Sequence, residues 1–162
     1  RASVYAVTPT PKATPVPPSP TPIAYVMPYP GLLPTHPLYF LKSLRDRIIE
    51  LLISDRVRKA EFYILQADKK LGMAVVLSEQ GKADGAKRAF TDSLSHRTQA
   101  VAELENSKKN DVTIPGFILE KLTRSMLKHR EISLSMSETT LELDALFTRV
   151  EALSTNPVQF SP

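Results

Sequence analysis

The chain has 162 residues, of which 42% are hydrophobic and 7% aromatic, with no cysteine and no tryptophan. Its formal net charge is +4, but Arg1 and Lys12 lie before residue 37, and the remainder carries 19 basic and 17 acidic side chains. Without a clustered cationic stripe and stacking aromatics, no nucleic-acid partner is expected. The Ala, Leu, Lys and Glu after residue 37 favour an all-α fold, which we predict to be an antiparallel bundle of four or five helices.

The first 36 residues form a separate region, here called the arm. Eleven of the 14 prolines lie between residues 7 and 37. Because proline fixes φ and removes an amide donor, we predict an extended, Thr/Pro-rich N-terminal arm over residues 1–36. Val4-Tyr5-Ala6 is similar to the small-residue end of a signal peptide, so we expect an exported protein with its signal peptide removed. No run of 18 apolar residues occurs, so we expect no membrane span in this chain.

The second half of the arm is apolar and is the predicted interaction segment. Prolines and Gly31 prevent it from coiling, so it must find burial against helices as an extended chain. Two arrangements stay open: the segment folds back on its own bundle, or it lies in a groove of a neighbouring copy. Its large apolar side chains are Ile23, Tyr25, Val26, Met27, Tyr29, Leu32 and Leu33.

The bundle is predicted over residues 37–154. Pro37 suits a first helical turn, and Thr35 or His36 precedes it as the N-cap. From Pro37 to about Ile53, apolar residues recur at three- and four-residue spacing, which is typical of an amphipathic helix. These residues are Leu41, Leu44, Ile48, Leu51 and Leu52.

Two longer helices follow the first. Helix two is predicted from about Arg56 to Gln80, after a cap at Asp55. Gly81 suits a left-handed stop, and Asp84 is the expected cap of a third helix from Gly85 to Ser107. The expected inward positions are Ala60, Ile64, Ala67, Leu71 and Ala74 in helix two, and Ala86, Phe90, Leu94, Val101 and Leu104 in helix three.

The last helical region begins near Thr113 and Pro115. Its apolar stripe is long enough for one helix of about 40 residues ending near Ser154. Ser135 followed by Glu138 is a candidate capping box, so a break at that point is the open alternative. Residues 155–162 are predicted to form an irregular tail. The stripe consists of Ile118, Leu122, Met126 or Ser125, His129, Ile132, Met136, Leu143, Leu146, Val150 and Leu153.

Three histidines are the candidates for chemistry. His36 is interpreted as a structural cap and His129 as a core histidine on the apolar stripe. His96 follows Asp92 by four residues, a spacing that can hold a metal on one helix turn, but no third ligand is near in the sequence. The Glu-x-x-His pairs of di-iron bundles are absent, and a cysteine nucleophile is excluded. We therefore predict no catalytic residue, no cofactor and no metal, in a protein that is not an enzyme.

The run YPGLLPTHPLYFLK, from Tyr29 to Lys42, carries a resemblance. It resembles the signature YPG-hydrophobic-LP-x-HPLY-x-LK of an uncharacterised bacterial domain-of-unknown-function family of exported proteins from candidate-phyla bacteria. Similar runs are KAEFY, ADKKL and LKHRE, so the resemblance covers roughly residues 25–135. Thr35 departs from the family pattern, which has Asp before His-Pro, although both residue types cap helices. The resemblance implies export, a Thr/Pro-rich stalk and a helical body, and it implies no activity.

Two classes of function follow from these features. The first is an extracellular or cell-envelope structural subunit, a homo-oligomer or polymer that forms a filament, tube or surface lattice, with each arm packed on neighbouring subunits. The second is a monomeric stalked binding or sensory module, or an adhesin, of the bacterial cell surface. Candidate glycan acceptors on its stalk are Thr8, Thr10, Thr14 and Thr21.

Overall fold

The structure is a computed structural model that describes residues 23–136 and 141–154. This part of the chain contains helices and no strand, which confirms the all-α prediction. The arm before residue 23, with its four candidate glycan acceptors, and the predicted tail from residue 155 lie outside the described residues. The five helices are α1 Tyr39–Leu52, α2 Arg56–Glu79, α3 Ala83–Lys109, α4 Gly116–Ser135 and α5 Leu141–Ser154.

Two antiparallel hairpins make the bundle. In the first, α2 and α3 run in opposite directions. The ion pair between Arg56 at the start of α2 and Glu103 near the end of α3 shows this. The second hairpin is α4 and α5, and it stacks on the first. The stacking places α2 beside α4 and α3 beside α5, as shown by the ion pairs Glu61–Lys121 and Glu105–Arg149.

The core lies between the stacked hairpins. Every predicted inward residue of α2 and α3 is buried, and so are the stripe residues of α4 and α5 from Ile118 to Leu153 except the half-buried Met136. Ser125 and Met126, which the sequence left as alternatives, are both buried. Ala60, Ala67 and Ala74 have no exposed surface, and their small side chains let neighbouring helices approach closely.

The turn between α2 and α3 confirms one prediction and corrects another. Gly81 has a φ of 71°, the left-handed conformation expected after a helix. However, α3 begins at Ala83 with Lys82 as its N-cap, so the prediction that Asp84 caps a helix starting at Gly85 was wrong. The physical reason is a tight reversal: the Lys82 amide donates to the Leu77 carbonyl at 2.9 Å, and the chain re-enters a helix at once.

The other helix ends show how far local signals reach. The Asp55 side chain accepts from the Arg58 amide at 2.8 Å, which confirms the predicted cap of α2. α4 ends at Ser135 and is followed by Met136 in a turn, so the last helical region is not one continuous helix. The Ser135 hydroxyl donates to the Ile132 carbonyl at 2.7 Å and so belongs to the end of α4. The other half of the predicted capping box, Glu138, lies outside the described residues.

No helix in the described ranges combines the length and the apolar character that crossing a membrane requires.

Two glycines provide a matched test of the α2–α3 turn. At both Gly81 and Gly116 an added Cβ would meet no atom within 4 Å, but only Gly81 has a positive φ. Gly81→Ala should therefore lower the free energy of unfolding by about 1–2 kcal/mol, because an L side chain is strained in that conformation. Gly116→Ala should leave it unchanged or slightly raised. Urea unfolding of both variants checks this, and equal effects would contradict the assigned turn.

Candidate interaction surface

Helix α1 turns its polar side toward the bundle. The Glu50 carboxylate accepts from the Tyr63 hydroxyl at 2.6 Å, and the Tyr39 hydroxyl accepts from Lys70 at 2.9 Å. Hydrogen bonds of this kind compete with water and contribute little net stability each. The polar contacts therefore hold α1 loosely. The half-buried residues on this side are Tyr39, Lys42, Asp46 and Glu50.

The opposite side of α1 is apolar and exposed. The amphipathic stripe predicted from the sequence is present, but it points away from the bundle, and α1 has no buried residue. Eight side chains between 38% and 81% exposed form this surface, which we call the α1 apolar face. Its area is on the order of 800 Å², more than the largest apolar patch of a typical monomer. The face consists of Leu38, Phe40, Leu41, Leu44, Ile48, Ile49, Leu51 and Leu52.

A polar cleft of about 370 Å³ lies between α1 and the α2–α3 hairpin. Lys42 and Lys70 line it together with Asp46 and Glu50, so the cleft has no single sign of charge. Burial lowers the pKa of Lys42, whose ammonium group donates to the Pro30 carbonyl at 2.8 Å. The charged groups of the cleft are engaged with neighbours: Glu50 accepts from the Tyr63 hydroxyl at 2.6 Å, and Lys70 donates to Asp92 at 2.7 Å.

The pair Asp92 and His96 does not come together as a metal site. Asp92 accepts from Lys70 at 2.7 Å. The Nδ1 atom of His96 lies 3.1 Å from the Gln99 side-chain oxygen, and burial lowers the pKa of His96. Within residues 23–136 and 141–154, no three His, Asp or Glu side chains are grouped so that they could hold a metal ion.

The apolar half of the arm lies on its own bundle. The Ile23 amide donates to the Glu131 carboxylate at 3.0 Å, and the Tyr25 hydroxyl donates to Asp68 at 2.6 Å. Between these anchors and α1, Pro30 packs directly on Gly72, where an added Cβ would lie 3.5 Å from the proline ring. Two more of the predicted interaction residues, Met27 and Leu33, pack against the buried cluster of α2, α3 and α4.

The remaining three residues of the predicted interaction segment face outward. Val26 is 94% exposed and Tyr29 is 84% exposed, while Leu32 is exposed to a smaller degree. Tyr29 and Leu32 line a groove of about 530 Å³ with Leu38, Leu41 and other residues of the arm and α1. The outer side of the arm therefore continues the α1 apolar face.

Beneath the arm lies a buried polar network that sequence reasoning missed. Arg97 has no exposed surface, and it donates to Asp68 at 3.1 Å, to His129 Nδ1 at 2.7 Å and to the Ser125 hydroxyl. Ser125 in turn donates to Asp68 at 2.6 Å. The second oxygen of Asp68 accepts from Tyr25, so one side chain of the arm completes a network built from α2, α3 and α4.

A signal for this network was present in the sequence. Arg97 lies seven residues after Phe90 and seven before Leu104, on the apolar stripe of α3, and Asp68 lies four residues after Ile64 on α2. A charged residue at a core position must find a partner of opposite charge. Two such residues on adjacent antiparallel helices would have predicted the pair.

His129 is buried in this network as a neutral side chain. Its Nδ1 accepts from Arg97, so its Nε2 carries the proton, and Nε2 is a buried side-chain atom without a hydrogen-bond partner. Burial, together with the neighbouring Arg97 charge, lowers the pKa of His129 to about 2. The ring packs edge to face against Phe90 with 4.6 Å between centroids. His129 therefore lies in the core, as the sequence predicts.

The predicted cap of the first helix differs in register from the structure. α1 begins at Tyr39 with Leu38 as its N-cap, so Thr35 and Pro37 lie in the preceding turn and the prediction that Pro37 occupies the first helical turn was wrong. His36 still satisfies two amides: its Nδ1 accepts from Leu38 at 3.2 Å, and its carbonyl accepts from Tyr39 at 3.0 Å. Because of this turn, α1 begins two residues later than predicted.

Comparison with known proteins adds no assignment: no family model, no curated protein and no solved structure matches this chain. The resemblance to a bacterial family of exported proteins therefore stays a prediction.

The link between Tyr25 and Asp68 can be tested with a matched pair of tyrosines. Tyr25→Phe removes a donor from a buried carboxylate oxygen, so it should lower the free energy of unfolding by about 1–3 kcal/mol. Tyr29→Phe, on the exposed side of the arm, should change it by less than about 0.5 kcal/mol. Urea unfolding measures both. Equal effects would show that the arm is not docked through Tyr25.

The neutral His129 gives the protein a defined pH dependence. Its folded-state pKa of about 2 lies below the value near 6.5 of an unfolded histidine, so its stabilising contribution is present above pH 6.5 and is lost as the pH falls toward 2. Between pH 7.5 and pH 5 this single group should remove about 2 kcal/mol. His129→Gln, which keeps an acceptor for Arg97, should lose that much less over the same range. Identical pH dependences in urea unfolding would contradict the buried neutral state.

Proposed function

We propose that this protein is a non-enzymatic structural subunit of the extracellular space or cell envelope that self-assembles through the α1 apolar face. The observation that carries the proposal is the orientation of α1, with its polar side on the bundle and its apolar side in water. Export is supported by the Thr/Pro-rich arm and by the absence of cysteine. The assembly would be a filament, tube or surface lattice.

The size of the face fits a protein partner. A standard interface buries about 800 Å² on each side, which is the area that the α1 apolar face offers. Leu41, Leu44, Ile48 and Leu51 follow one another at spacings of three, four and three residues. This is the spacing by which one helix packs along another. A second copy of the chain offers the same seam.

Arg45 favours a protein partner over a lipid surface. Its helical position places it beside Leu41, and the two residues line the same groove together with Leu38. The Arg45 guanidinium is paired with Asp46 at 2.7 Å and is 60% exposed. A charge within an apolar face is costly in hydrocarbon. Arginine is enriched at protein interfaces, where its charge keeps partners and water nearby.

The arm extends the proposed contact. Tyr29 and Leu32 share a groove with α1, so a partner seated on the α1 apolar face also reaches the outer side of the arm. Residues 1–22 precede this point; they lie outside the described residues, and the sequence predicts that they are extended. An arm of that length spans about 3.1 Å per residue and so reaches well beyond one bundle. We propose that it packs on neighbouring subunits.

A second candidate is the monomeric stalked binding or sensory module. It is favoured by the contacts of Ile23, Tyr25, Met27 and Leu33, which satisfy the inner side of the arm on its own bundle. In that case the purified chain is a monomer of 18.0 kDa, and a different protein covers the α1 apolar face.

Sedimentation equilibrium at micromolar concentrations separates the two candidates. The native chain should sediment well above 18.0 kDa, and the variant Leu44→Asp with Ile48→Asp should be monomeric because two carboxylates cannot be buried in an apolar contact. The matched control is Leu134→Asp on α4, which is 67% exposed and lies outside the face. It should assemble like the native chain. A native chain that is monomeric at all concentrations would refute self-assembly.

A further inference from the structure

The groove that holds the arm has the features of a peptide-binding site. At one end Glu131 accepts the Ile23 amide, and in the middle Asp68 accepts the Tyr25 hydroxyl. Next along the chain, Met27 lines a cavity of about 390 Å³ with Val75 of α2 and residues of α4. The two polar contacts fix the register of the extended chain. The apolar recess, which lies between these contacts and α1, holds the Met27 side chain.

The arm is joined to its own bundle by a weakly attached segment. α1, which follows the arm, has no buried residue and faces the bundle across a polar cleft of about 370 Å³. Only Ile53, Ser54 and Asp55 connect α1 to α2. The apolar contacts of residues 23–52 with the buried cluster of α2, α3 and α4 are made by Met27 and Leu33 of the arm and by Tyr39 at the start of α1, all remote from the connection.

From these two features we propose that the groove between α2 and α4 accepts the arm of a second copy, so that neighbouring subunits exchange residues 23–52. The inference rests on the proposed self-assembly and names the site through which it proceeds. An exchanged arm makes the same hydrogen bonds to Asp68 and Glu131 as the arm of the same chain. The exchange thus keeps the hydrogen bonds of the arm.

What separates the exchanged state from the closed one is α1. When residues 23–52 reach across to a neighbour, the polar side of α1 is rehydrated at little cost. The α1 apolar face then lies between two bodies, where it is removed from water. This burial opposes the entropy lost on association. A closed chain that remains a monomer leaves this face in water.

The absence of cysteine from the sequence makes a crosslinking test specific. One tagged chain carries Met27→Cys, and an untagged chain carries Ser78→Cys at the same cavity. The two chains are unfolded together, refolded and treated with a short bis-maleimide. The matched control replaces Met27→Cys with Val26→Cys, because Val26 is adjacent in sequence but points into solvent. Circular dichroism verifies that each variant is folded.

Exchange predicts a tagged–untagged product for Met27→Cys with Ser78→Cys at several times the yield of the Val26→Cys control. A single chain that carries both Met27→Cys and Ser78→Cys reports the closed state. In that state the crosslink forms only within the chain. Internal crosslinks without any cross-chain product overturn the exchange, and so does the lack of both products. If the native chain still sediments as an assembly, self-assembly through α1 stands without exchange. If it is monomeric, the proposed function fails as well.

Discussion

The buried ion pair of Arg97 and Asp68 is the constraint on which the rest of the structure depends. Both side chains are enclosed between helices, where an unpaired charge would be severely destabilising. The guanidinium therefore needs partners on every side, and it finds them in α2 through Asp68 and in α4 through Ser125 and His129. These contacts tie α2, α3 and α4 together at one level of the bundle.

The same pair fixes the path of the arm and, through it, the position of α1. One oxygen of Asp68 is taken up by Arg97 and Ser125, and the other requires a donor, which Tyr25 supplies. From Tyr25 the chain must cross Gly72 before it can start a helix. The chain then reaches a polar part of the α2–α3 hairpin, where Tyr63 and Lys70 form hydrogen bonds with α1. α1 meets this surface with its own polar side, and its leucines are left outside.

Sequence reasoning predicted the features that depend on near neighbours in the chain. The apolar spacing of α2 and α3 identifies their buried sides, and Asp55 and Gly81 mark helix ends because capping and left-handed backbone are local effects. The start of α3 was missed, since it depends on a hydrogen bond from Lys82 to Leu77 across the turn. The pairing of Asp68 with Arg97 joins residues far apart in sequence. The sequence could not predict which side of α1 contacts the bundle. Periodicity shows which residues share one side of a helix, but not what that side packs against.

That orientation links folding to assembly. α1 contributes no buried residue and contacts its bundle through half-buried side chains, while burial of its exposed leucines would favour association. Contacts made only between copies stabilise the folded chain by a free energy that rises with the logarithm of protein concentration. The bundle of α2 to α5 has its own core and buried ion pair, and α1 contributes no buried residue to either. The segment from the arm to Leu52 is anchored to this body by Tyr25. Its apolar side is left for a partner to cover. The proposed assembly rests on this division between a body with a buried core and a segment whose apolar side is exposed.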